Sequence, residues 1–177
     1  PNAGKYPVNA DGMPTDSLRD RFFLRDFKGG QMARDMQLFV DDDGKAYHIA
    51  SSEENYTMMV SLLTDDYLRP SGTFARILVM HQYEGPALFK KDGKYYFFGS
   101  GCTGWAPNPG HSAVAEHIFG PWKEFGNFAI GEKSNTTFDS QSTYVLPVQG
   151  KKDAFIYLGD RWTPNNAIDG RYIWLPI

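Results

Sequence analysis

Residues 84–105 read EGPALFKKDGKYYFFGSGCTGW. A carboxylate, Glu84, opens the stretch and apolar residues follow. Lys91-Asp92-Gly93-Lys94 then interrupts them before the aromatic run Tyr95, Tyr96, Phe97, Phe98. An Asp-Gly pair between two apolar runs is a hairpin signal, because a tight two-residue turn needs positive φ. Glu84 is therefore expected at the start of a strand whose hairpin partner is Tyr95 to Gly99.

The same layout recurs on either side. Upstream, Asp35 stands nine residues before the turn residue Gly44, as Glu84 stands nine before Gly93. Downstream, Gln141 stands nine before Gly150, and the apolar run Ala154 to Leu158 follows. Asp35, Glu84 and Gln141 thus occupy equivalent positions in three units whose starts lie 49 and 57 residues apart. A period of about 40–50 residues with several strands per unit is that of propeller blades. The innermost strands of successive blades line one channel, so the three positions are expected to converge although no local motif joins them.

The expected fold is therefore all-β, a β-propeller, with residues 1–34 as a leader or the edge of a preceding blade and 35–177 as blades. Propellers have about four to eight blades. Three units are too few to close a ring, so the expectation is an incomplete arc of about three blades. N-terminal blades, or another chain, would complete it, because open sheet edges must be covered or paired.

Composition agrees with this class. Of 177 residues, 15% are aromatic, with 18 glycines and 11 prolines, which suits a turn-rich β-protein and sugar binding. The formal net charge of -3, with no basic stripe, argues against a nucleic-acid partner. No apolar run approaches the roughly 20 residues of a membrane helix. The single cysteine, Cys102, excludes an internal disulfide.

Strands are expected near 35–40, 46–51, 56–62 and 75–80 in the first unit. The second unit has them near 87–90, 95–100, 112–117 and 123–128, and the third near 142–147, 154–160 and 172–175. Residues 1–18 read as loop, and Arg19 to Phe27 as a short strand or turn. Pro70-Ser71-Gly72 reads as a loop. No segment sustains a 3.6-residue period.

Four segments carry a family resemblance: RDMQLFVDDDGKAY (34–47), EGPALFKKDGKYYFFGSGCTGW (84–105), FDSQSTYVLPV (138–148) and YLGDRW (157–162). Together they resemble glycoside hydrolase family 43, and the SGCTGW and DSQST segments resemble its exo-β-1,3-galactanase branch. The resemblance implies a five-bladed propeller with its active site at one mouth of the channel, and an inverting hydrolase. Glu84 matches the family's general acid and Asp35 its pKa-tuning aspartate. Gln141 stands where the galactanase branch carries a glutamine, which would hold the attacking water. The early-blade segment that supplies the family's usual aspartate base is absent. An oligo- or polysaccharide substrate follows, with a secreted or periplasmic location. Relatives sometimes carry calcium or another ion in the channel; nothing in this sequence specifies a metal or other cofactor.

The chemistry asked of these residues is specific. An inverting glycosidase needs an acid and a base about 6.5–9.5 Å apart, with water between. An acid working near neutral pH needs a raised pKa, which a nearby like charge supplies. Asp35 is placed to supply that charge to Glu84, and Arg34 could instead hold Asp35 ionised. Gln141 is neutral and no ordinary base. Asp139 is the alternative base, on the same face as Gln141 if the strand is regular. Trp105, Tyr83, Trp162 and Tyr56 are candidates for stacking on sugar rings. Asn55, Thr103, Arg161 and Asn108 are candidates for hydroxyl contacts.

Plainer roles stand beside these. A glutamate at a strand start is most often a solvated charge, and Gln141 could be a buried amide satisfying backbone. Trp122, Trp174 and Tyr95 to Phe98 read as core. Other functions remain open at this point: a non-catalytic galactan-binding propeller, or a family 43-like arabinofuranosidase or xylosidase.

Overall fold

The computed structural model describes residues 32–177; the expected Arg19–Phe27 strand lies outside them. Among the described residues, eleven strands form three antiparallel sheets. The first is β1 (Met36–Val40), β2 (Ala46–Ser52), β3 (Thr57–Leu63) and β4 (Pro70–Ile77), paired in chain order. The second is β5 (Tyr83–Lys91), β6 (Lys94–Gly101), β7 (Gly110–Ala115) and β8 (Lys123–Gly126), again in order. The third has β9 (Gln141–Pro147), β10 (Phe155–Arg161) and β11 (Arg171–Pro176). Helical structure among the described residues is confined to two single 3₁₀ turns, Ser134–Thr136 and Ala167–Asp169. The first strand of each sheet meets the first strand of the next, β1 against β5 and β5 against β9. This is an arc of three propeller blades.

The second blade is central because its sequence can bury both faces. Successive side chains on a strand point to opposite faces, and the aromatic run uses that alternation. Tyr95 and Phe97 enter a core shared with Ile49, Val60, Ile77 and Trp122. Tyr96 and Phe98 pack instead beside Phe89, Val145 and Phe155, between the second and third blades. Leu88 and Phe89 divide in the same way. Phe97 and Leu88, both fully buried, each stabilise the fold by about 1.5–3 kcal/mol.

An innermost strand leaves one backbone edge unpaired, and a buried orphan N–H or C=O is costly. The neighbouring blades satisfy β5. Gln37 of β1 is buried, and its amide takes the Leu88 N–H and donates to the Leu88 carbonyl, at 2.5 and 2.9 Å. The Gly85 N–H donates to Asp35 Oδ2 (3.0 Å), and the Gly85 carbonyl accepts from Ser142 Oγ (2.5 Å). Three blades thus meet at one residue. Gly85 has φ +58°, and a Cβ there would lie 2.5 Å from the Ser142 carbonyl oxygen, so only glycine fits.

Several expectations need correction. Pro70-Ser71-Gly72 is not loop but the start of β4; proline is tolerated at the first residue of an outermost strand. That strand ends at Ile77 because Leu78 and Met80 take positive φ. Trp174 is 68% exposed rather than core, because no described element covers that face of the third sheet. Met36, Leu38 and Val40 are likewise exposed on the far side of β1. Trp122 is buried, as expected of a blade-packing residue.

Candidate active site

The three equivalent positions come together at one end of the innermost strands. Asp35 directly precedes β1, Glu84 is the second residue of β5 and Gln141 the first of β9. Asp35 touches the peptide next to Glu84 through Gly85 N–H. Glu84 faces Ser100 across the β5–β6 ladder, and Gln141 Nε2 donates to Ser100 Oγ at 3.0 Å. Ladder irregularities flank both residues, between Glu84 and Ala87 and between Leu158 and Gly159. Such bulges re-aim side chains at strand ends.

Glu84 is half-buried. Asn55, itself buried, donates its amide to Glu84 Oε1 at 2.7 Å. Asn55 sits in the turn after β2 with φ +65°, one of three consecutive residues in the left-handed region, and asparagine tolerates that conformation well. Cys102 Sγ lies 3.5 Å from the same amide. Burial, and then the Asp35 charge, push the Glu84 carboxyl above its ordinary range; Arg34, the Cys102 thiol and the Asn55 amide pull the other way. Burial and the Glu84 charge push the Cys102 thiol up to about 11, so it stays protonated near neutral pH.

Gln141 is held at both ends of its amide. Trp162 Nε1 approaches Gln141 Oε1 at 3.3 Å. An indole nitrogen only donates, so it fixes which amide atom is the oxygen, leaving Nε2 toward Ser100. Trp162 and Trp105 meet edge to face, centroids 5.3 Å apart, and both are largely exposed. Ser100, Trp105, Asn108, Asp139, Gln141, Asp160 and Trp162 are among the residues lining a cavity of about 100 Å³. It adjoins a wider groove of about 470 Å³ bounded by Trp105, Trp162, Ile168 and Tyr172.

Other candidates fall elsewhere. Tyr83 is buried, its ring stacked between His81 and His111 and its hydroxyl on Glu124; it offers no face to a sugar. Arg161 spends its guanidinium on the Phe138 carbonyl, at 2.8 and 3.1 Å. Thr103 donates to the Ala106 carbonyl and accepts from Asn108, which also clamps the Gly101 backbone. These residues shape the 103–108 loop that presents Trp105. Tyr56 is half-buried and its carbonyl takes the Met80 N–H. Asp139 is not on the strand with Gln141: it has φ +59° in the preceding turn. It nevertheless reaches the same cavity, where Lys133 (2.6 Å) and Thr136 (2.9 Å) hold its carboxyl low.

The sequence reading missed Asp160. It lies directly opposite Gln141 in the β9–β10 ladder and lines the same cavity. Among the described residues no three His, Cys, Asp or Glu side chains converge as a metal site.

The sequence matches the model of glycosyl hydrolases family 43 over residues 21–173. The chain belongs to family 43. Among solved structures of the family, one β-1,3-galactosidase is 47% identical with a TM-score of 0.82, over 84% of this chain and 32% of that one. Another, solved with galactodeoxynojirimycin, is 43% identical with a TM-score of 0.89, over 99% of this chain and 56% of that one. An exo-β-1,3-galactanase from Clostridium thermocellum is 38% identical with a TM-score of 0.76, over 83% and 32%. This chain therefore spans between about a third and just over half of those proteins. No curated protein matches it. Within the family frame, the three sheets are blades of the five-bladed family 43 propeller.

Proposed function

We propose that this chain carries the acid side and the water-holding side of an inverting glycoside hydrolase that releases galactose from β-1,3-galactan. Glu84 is the general acid, Asp35 raises its pKa, and Gln141 positions the attacking water. The observation that carries this reading is the environment of Glu84. Its carboxyl is half-buried, pushed up by burial and by Asp35, and anchored at Oε1 by a hydrogen bond from Asn55. Family relatives that are β-1,3-galactosidases or exo-β-1,3-galactanases support the sugar and linkage.

Trp105 and Trp162 are the sugar-stacking residues in this proposal. Asn55 is reassigned from sugar contact to anchoring Glu84, because its amide is already engaged there. Further blades, from the same or another chain, cover the exposed faces of β1 and β11, where Met36, Leu38, Tyr172 and Trp174 stand in solvent. With a polysaccharide as substrate, we infer a secreted or periplasmic location.

The test compares wild type with Glu84→Gln on β-1,3-galactan and on aryl β-galactosides, in the full-length protein. Loss of turnover in the variant with retained substrate binding supports the proposal. Equal turnover in both removes Glu84 as the acid. Absence of turnover in both, with galactan still bound, points to a binding module.

A further inference from the structure

Proton delivery needs Glu84 held in one pose, and the Asn55 amide that holds it belongs to another blade. We propose that Arg76 and Glu53 are positioning residues for the acid: their buried ion pair fixes the turn that aims Asn55 at Glu84. This inference rests on the reading of Glu84 as the general acid.

Three observations carry it. The first is the shape of the turn. Four residues, Glu53 to Tyr56, join β2 to β3. The first three, Glu53, Glu54 and Asn55, have φ of +52°, +57° and +65°. Residues with side chains visit the left-handed region singly, and asparagine does so far more readily than glutamate. Three in succession, two of them glutamates, persist only where the surroundings impose the conformation.

The second is what imposes it. Glu53 is 1% exposed, and its Oε2 accepts from Arg76 Nη2 and from Thr57 Oγ1, each at 2.7 Å. Arg76 is equally buried and comes from β4, where it stands opposite Met59 of β3. The Glu53 carbonyl accepts from Tyr56 N–H at 3.1 Å, and the Tyr56 carbonyl takes the Met80 N–H at 2.6 Å. The turn is thus gripped from β3, from β4 and from the chain that leads into β5. A buried ion pair is often no more stable than apolar residues of similar size. What this pair supplies is fixed geometry.

The third is what the grip delivers. Asn55 is buried, and its Nδ2 donates to Glu84 Oε1 at 2.7 Å. Its Oδ1 has no hydrogen-bond partner among the described residues. Contacts on one side of an amide do not hold it alone, so the backbone that carries Asn55 sets its direction. The same end of the first blade braces the neighbours of Glu84. Ser51 Oγ donates to the Tyr83 carbonyl at 2.8 Å, and Gly85 N–H donates to Asp35 Oδ2 at 3.0 Å.

The pair therefore acts on the acid at a distance, through Asn55. Releasing the turn withdraws a donor from the ionised form of Glu84, and the pKa of the acid rises. Asp35, Arg34 and Cys102 also face Glu84 and are left in place.

The experiment uses the full-length protein and reads kcat/KM against pH on an aryl β-galactoside with a poor leaving group. Glu53→Leu combined with Arg76→Met removes both charges, so neither is left buried alone. The alkaline limb is expected to move to higher pH, and kcat to fall about tenfold with little change in KM. In an Asn55→Ala background the same two substitutions are expected to move the limb no further, because the route through Asn55 is already cut. Thr57→Val is a milder change that removes one donor to Glu53. It is expected to shift the limb the same way by less, and it carries the test if the combined variant does not fold. Folded variants that lose stability but leave the limb unmoved would overturn the proposal, since a merely structural role predicts that result. A full further shift in the Asn55→Ala background would overturn it as well. A wild type without turnover, or a Glu84→Gln enzyme as active as wild type, overturns the acid reading and this proposal with it. An active, Glu84-dependent enzyme whose alkaline limb ignores Glu53, Arg76 and Thr57 overturns this proposal alone.

Discussion

Asn55, in the turn after β2 of the first blade, holds one oxygen of Glu84 on the second blade at 2.7 Å. The contact crosses between two sheets, so the position of the candidate acid depends on how the blades pack and not on its own strand alone. Its energetic effect has a definite sign. A hydrogen bond to the ionised carboxylate favours that form, opposing the burial and the Asp35 charge that push the pKa up.

Opposite pH shifts are therefore expected from two variants. Asp35→Asn removes a like charge, so the Glu84 pKa falls and the alkaline limb of kcat/KM moves to lower pH. Asn55→Ala removes a donor to the ionised form, so that limb moves to higher pH, and kcat falls by about tenfold through loss of positioning. Rate profiles of the two variants against wild type check both signs. Shifts in the same direction would refute the electrostatic account.

Glu84→Gln keeps the side-chain shape and the Asn55 contact but cannot donate an acidic proton. A loss of about 10²–10⁴ in kcat is expected on substrates with poor leaving groups. The loss should be smaller on aryl β-galactosides, whose leaving groups need less protonation. Steady-state kinetics on both substrate types tests this.

Trp162→Phe keeps an aromatic ring against Trp105 but deletes the N–H that fixes Gln141 Oε1. One hydrogen bond contributes about 1 kcal/mol, so kcat should fall about fivefold with little change in KM. A pure rise in KM would assign Trp162 to sugar stacking alone.

Gly85→Ala forces a Cβ against the Ser142 carbonyl at a backbone angle that disfavours side chains. A destabilisation of about 2 kcal/mol or more is expected, from left-handed strain together with the displaced blade. Urea denaturation of the full-length protein measures it.

Asp41 links the first two blades through Lys90 Nζ (2.5 Å) and the Tyr95 hydroxyl. Burial alone would raise its pKa, but the hydrogen bonds from Lys90 and Tyr95 outweigh it and the net shift is downward. A depressed folded pKa stabilises the protein above the unfolded carboxyl value, about 3.9. That contribution is lost as pH falls through the folded value. Asp41→Asn should cost about 1–2 kcal/mol at neutral pH, with the difference from wild type shrinking as pH falls below the unfolded carboxyl value. Thermal melts at pH 7 and pH 3 decide it.

Much of the architecture is local and was legible. Asp-Gly turns, flanked by β-branched and aromatic runs, place the β1–β2 and β5–β6 turns where they fold, while β4 begins earlier than expected, at Pro70. The equal spacing of Asp35, Glu84 and Gln141 to their turn glycines marks the innermost strands. Asp160 escaped for a specific reason. Ser51 and Ser100 each lie seven residues after their turn glycine, whereas Asp160 lies ten after Gly150. The longer third hairpin hides its equivalence.

What the sequence determined by itself is the strand order, the repeat and which residues share a position in it, because turn geometry and side-chain alternation act over a few residues. What only the tertiary structure decided is which of those residues meet. Asn55 on Glu84, Trp162 on Gln141, Tyr83 buried against Glu124 and Trp174 left in solvent all depend on neighbouring sheets and loops brought together by packing. Contacts between residues far apart in the chain follow from how apolar faces bury against one another, and no local pattern encodes that distance.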